Sequence, residues 1–158
     1  MKNILKKSDL LISSKLGIYS NLYKDIYFDK HNGIKETQHN FIGANNLASR
    51  FKKADKFTIS ELGFGTGLSF LLTFKLWKET KKPNAKLTYI SFESAPLTKF
   101  ELKNVYKKIK EVKTFSNQLI KKLPVIYQST HRIFFELENV ELILIYDDFN
   151  ILKNLNFK

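Results

Sequence analysis

The sequence predicts an α/β fold built on a parallel sheet, and three observations carry that prediction. An apolar strand over 57–62 leads into the glycine-rich stretch "GFGTG" and then into an apolar helix over 68–77. A second strand over 86–93 is followed by a turn at Ala95–Pro96 and a helix that begins near Thr98. Because strands and helices alternate, the strands should run parallel, as in Rossmann-like βα units.

The region before the first core strand is predicted to hold a hairpin and two helices. A short strand over Ile26–Phe28 is followed by Asn32–Gly33, a pair that commonly forms the tight turn of a hairpin. The polar pattern that follows predicts a helix over Glu36–Leu47, and a second helix is expected over Ala48–Lys53.

The last third of the chain adds a helical stretch and two strands. Residues 99–123 are predicted to be helical and are rich in lysine, and Pro124 ends that stretch. The segment "HRIFFELENVELILIYDDF" contains two strands around a turn at Glu138–Asn139. A β-hairpin appended to the parallel core is therefore expected.

The composition describes a basic chain of single-domain size. Its 158 residues include 27 Lys and Arg against 15 Asp and Glu, and the resulting charge of +12 favours an anionic partner such as nucleic acid. The absence of cysteine excludes disulfides, thiolate metal sites and a cysteine nucleophile, and three scattered histidines indicate no metal site. No stretch has the character of a secretory signal or a membrane span, so a cytoplasmic protein is expected.

The glycine-rich stretch indicates a ligand that approaches the backbone closely. Gly63, Gly65 and Gly67 follow a strand and precede a helix, whose first N–H groups are free to donate. A nucleoside triphosphate loop would need a lysine near its end, where this chain has Leu68 and Ser69. A dinucleotide fingerprint would need glycine at position 68, so the glycines alone leave the ligand open.

Acidic residues at the strand ends narrow the choice. Glu61 precedes Gly63, where a carboxylate would repel a pyrophosphate but can pair with the ammonium group of S-adenosylmethionine. Glu93 ends the second strand, where it can accept hydrogen bonds from a ribose of either NAD or S-adenosylmethionine. Asp147 and Asp148 end the last strand, near an expected adenine edge. Together these acids predict a ligand that contains adenosine.

Four blocks in order add a family resemblance: "DIYFDKHNGIKETQHNFIGANNL", "FTISELGFGTGLSFLLTF", "LTYISFESAPLTKFEL" and "HRIFFELENVELILIYDDFNIL". Spanning residues 20–152, they resemble the methyltransferase domain of the MnmC-type bacterial proteins that make 5-methylaminomethyl-2-thiouridine in tRNA. The resemblance implies the Rossmann-like class I S-adenosylmethionine-dependent methyltransferase fold. It also implies methyl transfer to the amine of 5-aminomethyl-2-thiouridine at the tRNA wobble position.

The resemblance assigns roles to residues by matching position. The cofactor-binding residues it implies are Glu61, Gly63, Gly65 and Gly67 for the methionine half of S-adenosylmethionine, Glu93 for its ribose and Asp148 for its adenine side. The residues that match the block bordering the substrate pocket are Tyr27, Phe28, Gly33, Glu36 and His39.

Two features of the family fall outside this sequence. Two-domain relatives carry a C-terminal FAD-dependent oxidase, and a Leu-Asp-Gly-Phe-Ala-Pro loop bears the aspartate that acts near the target amine. We therefore expect an incomplete methyltransferase domain over 1–158, with no assigned catalytic residue and any FAD-dependent oxidase on a separate polypeptide. Residues 57–158 would be the cofactor-binding half of the sheet, with 57–62 as its exposed edge, and residues 1–56 an extension bordering the substrate site.

Two other functions remain open. An NAD-dependent oxidoreductase fragment is disfavoured by Glu61 and by Leu68 in place of glycine. A non-catalytic RNA-binding module would use only the basic surface, and the lysines of 99–122 fit either a solvated helix face or a contact with the tRNA backbone.

Overall fold

The computed structural model describes residues 5–13, 17–28 and 33–154. It begins with a three-stranded antiparallel sheet in the order of the chain. The strands are β1 (Leu10–Ser13), β2 (Gly17–Ser20) and β3 (Asp25–Phe28). The strand expected at 26–28 is present, but its hairpin turn precedes it, because residues 21–24 connect β2 to β3. The predicted turn residue Asn32 lies outside the described residues.

The two helices before the main sheet differ from their predicted bounds. Gly33 begins helix α1 (Gly33–Thr37), so its prediction as a hairpin-turn residue is wrong. The Thr37 hydroxyl donates to the Gly33 carbonyl at 2.9 Å, one turn back. The chain continues as a π-helical turn over Gln38–Gly43. The helical conformation is interrupted at Asn46, whose φ of 49° lies in the left-handed region. Helix α2 (Leu47–Lys53) follows, close to its predicted position.

The main sheet has four strands in the order β4–β5–β7–β6. Its strands are β4 (Lys56–Leu62), β5 (Lys86–Phe92), β6 (Ser129–Phe135) and β7 (Val140–Tyr146). The first two run parallel, β7 runs parallel to β5, and β6 runs antiparallel to β7. The predicted parallel sheet and terminal hairpin are confirmed. The hairpin is more than an appendage, because β7 is itself the third parallel strand.

Three further helices connect these strands: α3 (Leu68–Thr80), α4 (Lys99–Tyr106) and α5 (Lys113–Lys122). The Thr98 side chain accepts from the Glu101 amide and the Glu101 carboxylate accepts from the Thr98 amide, which is a capping box at the start of α4. The single helical stretch predicted over 99–123 is divided, because buried Ile109 takes an extended conformation with φ −117° and ψ 91°.

One face of the main sheet carries the hydrophobic core. Strand residues on this face pack with aromatic side chains of α2 and α3. Phe70 of α3, for instance, meets Tyr89 of β5 with 5.2 Å between ring centroids, and Phe51 of α2 meets Trp77 at 5.0 Å. All four of these side chains are fully buried. Burial of each contributes on the order of 2 kcal/mol, so this face fixes the helices onto the sheet.

The opposite face of the same sheet is not part of that core. Ile90 of β5 and Ile143 and Ile145 of β7 alternate with fully buried residues, yet they are only half-buried and lie outside the core cluster. At the two outer strands, Leu62 is 61% exposed and Phe134 is 44% exposed. We call these five residues the open face.

The carboxyl ends of the three parallel strands meet at one edge of the sheet. The loop after β4, the residues after β5 and the residues after β7 therefore lie together, as expected for a ligand site in an α/β fold. Among the described residues, no helix combines the length and the apolarity that would let it cross a bilayer.

Candidate functional site

A cavity of about 500 Å³ lies at the edge of the sheet where β4, β5 and β7 end. This volume falls within the range of sites that hold nucleoside-sized ligands. Its walls come from the glycine loop, the ends of β5 and β7, and the N-terminal region. The lining residues are Ser20, Tyr23, Thr37, Leu62, Gly63, Phe64, Gly65, Thr66, Leu68, Ser69, Phe92, Glu93, Ser94, Asp147 and Phe149.

The glycine loop turns away from β4 and exposes backbone to the cavity. The amides of Gly63 and Phe64 both donate to the Phe92 carbonyl, at 3.0 and 2.9 Å, so the start of the loop is fixed to β5. Gly63 has a φ of 90°, and a Cβ built on it would meet no atom within 4 Å. This residue thus combines a left-handed backbone with open space beside it, which lets a ligand approach the main chain.

The end of the loop is packed tightly against α4. Gly67 has a φ of 69°, and a Cβ there would come within 2.7 Å of the Phe64 ring. The hydroxyl of Tyr106, a buried residue of α4, donates to the Thr66 carbonyl. Burial raises the pKa of Tyr106, so this donor stays protonated. Phe64 and Tyr106 therefore hold the end of the loop in place.

Glu93 braces the middle of the same loop. Its Oε2 accepts from the Gly65 amide at 2.7 Å and its Oε1 accepts from the Ala95 amide at 2.7 Å. The side chain is 5% exposed and lines the cavity. The sequence predicts Glu93 as a ribose ligand, and each carboxylate oxygen keeps a lone pair for that role. The structure adds that Glu93 already ties the glycine loop to the end of β5.

Glu61 lies near this brace but on the helix-covered side of the sheet. Its Oε1 accepts from the Ser91 hydroxyl at 3.0 Å, and the Tyr89 hydroxyl lies beside the carboxylate without reaching hydrogen-bond geometry. Burial, helped by the negative charge of Glu93, raises the pKa of Glu61 to about 7. Glu61 does not line the cavity, so any effect on a ligand there acts through the strand end or through water.

The two aspartates after β7 have different surroundings. Asp147 is buried and lines the cavity, and its carboxylate accepts from the Gln128 amide group at 2.8 Å. The Asp148 carboxylate accepts from the backbone amide of Asn150 at 2.9 Å and from its side chain at 2.7 Å. Asp148, predicted to lie on the adenine side, thus stabilises the turn that follows, while Asp147 is the one at the cavity wall.

Gly33, Glu36 and His39, three of the five residues predicted to border the substrate, are not among the described residues that line the cavity. Gly33 is buried in α1, whereas Glu36 and His39 are exposed. Tyr27 and Phe28 belong to β3, and their side chains lie outside the described residues. The role given to these five residues stays a prediction.

Three N-terminal residues that no sequence pattern indicated also line the cavity, namely Ser20, Tyr23 and Thr37. The Tyr23 hydroxyl shares a hydrogen bond of 2.7 Å with the Ser94 hydroxyl, across 71 residues of sequence. The Lys6 ammonium lies over the Tyr23 ring, 5.7 Å from its centroid. Contacts this distant leave no local pattern, so only the fold reveals that these three residues of the predicted N-terminal extension lie at the cavity.

The arrangement suits a polar organic ligand better than a metal ion. Over the part of the chain that the structure describes, no group of three or more His, Asp or Glu side chains converges as metal ligands would. The cavity instead offers exposed backbone at Gly63 and two buried carboxylates, Glu93 and Asp147.

Comparison with known proteins finds several MnmC proteins among the similar sequences. No family model matches the chain. It is 36% identical over 135 residues to the tRNA 5-methylaminomethyl-2-thiouridine biosynthesis bifunctional protein MnmC of Legionella pneumophila (strain Corby), covering 82% of this chain and 20% of that protein. The MnmC protein of Hahella chejuensis (strain KCTC 2396) is 36% identical over 147 residues, which are 91% of this chain and 24% of the relative.

A solved structure shares the fold. MnmC2 from Aquifex aeolicus superposes with a TM-score of 0.68 at 20% identity, over 97% of this chain and 47% of the solved chain. The chain spans about a fifth to a quarter of the length of these curated relatives and about half of the MnmC2 chain. The chain is therefore a homologue of one region of the MnmC proteins, with a Rossmann-like fold that matches part of MnmC2.

Proposed function

We propose that this chain forms the cofactor-binding part of an S-adenosylmethionine-dependent methyltransferase that modifies the wobble uridine of tRNA. The reaction would convert 5-aminomethyl-2-thiouridine to 5-methylaminomethyl-2-thiouridine. The names of the MnmC relatives support a role in this tRNA modification, and the cavity at the strand ends supports a nucleoside-type cofactor. A cytoplasmic location belongs to the same proposal, since tRNA is the substrate.

One contact favours S-adenosylmethionine over a dinucleotide: the Glu93 carboxylate accepts from the Gly65 amide at 2.7 Å. In dinucleotide-binding folds, loop amides at this position face the pyrophosphate. In this loop the Gly65 amide already donates to the Glu93 carboxylate, so a phosphate placed there would be repelled by that negative charge. S-adenosylmethionine carries no phosphate and two positive groups, the ammonium and the sulfonium, so carboxylates nearby attract it.

The residues at the cavity suggest how such a cofactor would be held. Open backbone at Gly63 would let the cofactor lie against the loop, and Glu93 would accept from the ribose hydroxyls with its remaining lone pairs. We assign the adenine side to Asp147, because its carboxylate lines the cavity while Asp148 bonds to Asn150. When bound, S-adenosylmethionine supplies a methyl group on a sulfonium that a neutral amine can attack in line.

No residue is assigned as the catalytic base. The protein must keep the target amine unprotonated and aligned with the methyl group, and the described residues offer no side chain placed by motif for that role. In two-domain relatives the family resemblance adds an FAD-dependent oxidase, and this proposal gives no oxidase role to residues 1–158. The present chain would provide cofactor binding and part of the tRNA surface.

The basic helices supply a surface suited to tRNA. Lysines at positions 99, 103, 107, 108 and 113 are exposed on α4, α5 and the connection between them, in a chain of net charge +12. Contacts between lysine and phosphate release counterions, so binding should weaken steeply as salt rises.

Calorimetry with S-adenosylhomocysteine and with NADH tests the cofactor assignment. We expect binding of S-adenosylhomocysteine and none of NADH. Asp147→Asn should weaken binding about tenfold, whereas the neighbouring Asp148→Asn serves as the matched control and should change it less than about twofold, on the basis of a hydrogen bond to a charged group. Binding of NADH alone would reject the proposal in favour of an oxidoreductase.

A non-catalytic RNA-binding module is the second candidate, and the net charge of +12 is the observation that favours it. Incubation with S-adenosylmethionine and tRNA from cells that lack the methyl group, followed by mass spectrometry of the nucleosides, separates the two. Tight tRNA binding without binding of S-adenosylhomocysteine would favour the module.

A further inference from the structure

Helix α4 carries a phenylalanine on the side that faces solvent. Phe100 is 73% exposed, more than any other Phe, Tyr or Trp side chain among the described residues. The buried residues of the same helix are Leu102, Val105 and Tyr106. At about 100° per residue, these three lie roughly 140° to 240° around the helix axis from Phe100. The Phe100 ring therefore projects away from the core, and packing within the chain does not account for it.

Two lysines continue the exposed side of α4 along its axis. Lys103 follows Phe100 by one turn, and Lys107 follows Lys103 by another, so the three side chains form one stripe. The Lys107 ammonium donates to the Asn104 side chain at 3.4 Å, and neither lysine forms an ion pair with a described residue. The cations that do form ion pairs are Lys78, Lys82, Lys86, Lys122 and Arg132. Both ammonium groups of the stripe are thus available to an anion.

Hydrogen bonds on both sides of Phe100 fix the start of α4. Thr98 and Glu101 form the capping box, and the Ser8 hydroxyl lies 3.2 Å from both oxygens of the Glu101 carboxylate. The acid nearest to the stripe is therefore engaged in holding the helix. A ring on an ordered backbone loses little conformational entropy when a ligand stacks on it.

The stripe begins near the candidate cofactor cavity. Ser94 lines that cavity, and Phe100 follows it by six residues. Six residues span at most about 20 Å, so Phe100 lies within that distance of the cavity wall. A polynucleotide with one nucleotide at the cavity can therefore place a nearby nucleotide on α4.

We propose that α4 binds an unpaired segment of RNA, with a base stacked on Phe100 and phosphates on Lys103 and Lys107. Aromatic side chains stack on unpaired bases of every type, whereas bases inside a duplex are already stacked on one another. A duplex would thus use the lysines and leave the ring unused. The assignment of this segment to nucleotides beside the wobble uridine of tRNA rests on the proposed function.

Fluorescence anisotropy with a labelled single-stranded RNA oligonucleotide, and with the matching RNA duplex, tests the role of the ring. Phe100→Leu keeps an apolar side chain without the ring, so it should weaken single-strand binding about tenfold and change duplex binding less than about twofold. Phe100→Trp should retain single-strand binding, and its indole fluorescence should be quenched by the stacked base. Phe134→Leu, at an exposed phenylalanine of β6, is the matched control and should change neither affinity.

The salt dependence of binding tests the lysines. Each phosphate contact with a single strand adds about 0.7 to the slope of log K against log salt concentration. Lys103→Gln and Lys107→Gln should each reduce the slope by about that amount. Lys53→Gln, at an exposed lysine of α2, is the matched control and should leave the slope unchanged. Slopes equal to wild type for both α4 variants would contradict the assignment of phosphates to this stripe.

Three further outcomes would overturn the proposal. The first is a wild-type chain that does not bind the single strand, and the second is equal binding by wild type and Phe100→Leu. The third is self-association, seen by light scattering, that Phe100→Leu abolishes and RNA does not compete with, which would make the stripe a protein contact. Because Phe100 lies outside the core, all variants should keep the wild-type melting temperature.

Binding of S-adenosylhomocysteine is measured by calorimetry on the same preparations. We expect Phe100→Leu to leave it unchanged, since the ring is not among the residues that line the cavity. RNA binding that depends on Phe100 in a chain that does not bind S-adenosylhomocysteine would reject the proposed function and support the RNA stripe. Cofactor binding without any effect of Phe100 on RNA would reject the stripe alone.

Discussion

The two faces of the main sheet contrast most sharply within a single strand. In β7, Leu142 and Leu144 are 0% exposed beneath the helices, while their neighbours Ile143 and Ile145 lie half-buried on the open face. Apart from Glu141, the strand sequence "VELILIY" is apolar on both faces, a pattern typical of strands covered from both sides. The composition of β7 is therefore that of a strand buried on both faces, although the described residues cover only one of them.

The greatest loss of stability should come from the covered face. Leu142→Ala leaves a cavity in the core and should lower the free energy of unfolding by about 2–5 kcal/mol, as for other buried leucines. Urea denaturation followed by circular dichroism measures the change. A loss below about 1 kcal/mol would show that the helices do not pack on this face as described.

The stability contributed by Glu61, an acid on the covered face, should depend on pH in the opposite sense to that of most acids. Burial raises the pKa of Glu61 to about 7, above the value of 4.5 expected when the chain is unfolded. Its neutral form is favoured by folding, so stability is fully present below pH 4.5 and falls as pH rises towards 7. Glu61→Gln should therefore raise the free energy of unfolding by about 2 kcal/mol at pH 8 and leave it unchanged at pH 4. Urea titrations at the two pH values measure this difference, and an equal change at both would contradict it.

An acid on the open face should show the reverse dependence. Burial acts to raise the pKa of Glu141, but hydrogen bonds and charge from Lys86 and Arg132 outweigh it and lower the pKa. Stability from this group is present above its unfolded pKa and is lost as pH falls. Thermal melts of Glu141→Gln should lie a few degrees below wild type at pH 7 and coincide with it near pH 3. A difference in melting temperature that persists at pH 3 would show that the loss of stability comes from packing and not from the charge of Glu141.

The mildest change should come from the open face itself. Ile143→Ala removes a half-buried side chain outside the core, so the isolated chain should lose less than about 1 kcal/mol. Measured beside Leu142→Ala by the same urea titration, this variant tests the contrast between the faces directly. Equal losses for the two would mean that the open face is packed as firmly as the covered one.

Local patterns made the central part of the fold predictable. The strand, glycine loop and helix over 57–77 follow from short-range periodicity and from the backbone freedom of glycine, and the strand over 86–93 follows from its apolar run. The position of Glu93 at the cavity was predictable for the same reason, since strand ends in parallel sheets converge.

Features that depend on distant contacts could not be predicted. The contact between Tyr23 and Ser94 joins segments that are 71 residues apart in sequence. The bond from the Gly65 amide to Glu93 spans 28 residues and depends on how the loop folds back on β5. The difference between Asp147 and Asp148 depends on where Gln128 and Asn150 lie, which two adjacent identical residues cannot reveal.

The three supports of the glycine loop have a consequence for the thermodynamics of binding. Glu93 holds the Gly65 amide, Tyr106 holds the Thr66 carbonyl and the Phe64 ring fills the space beside Gly67. The loop is thus ordered by folding, before any ligand arrives, so a ligand loses little of its affinity to the ordering of flexible backbone. Association should then show a small change in backbone order, and Tyr106→Phe should weaken binding mainly through a less favourable entropy.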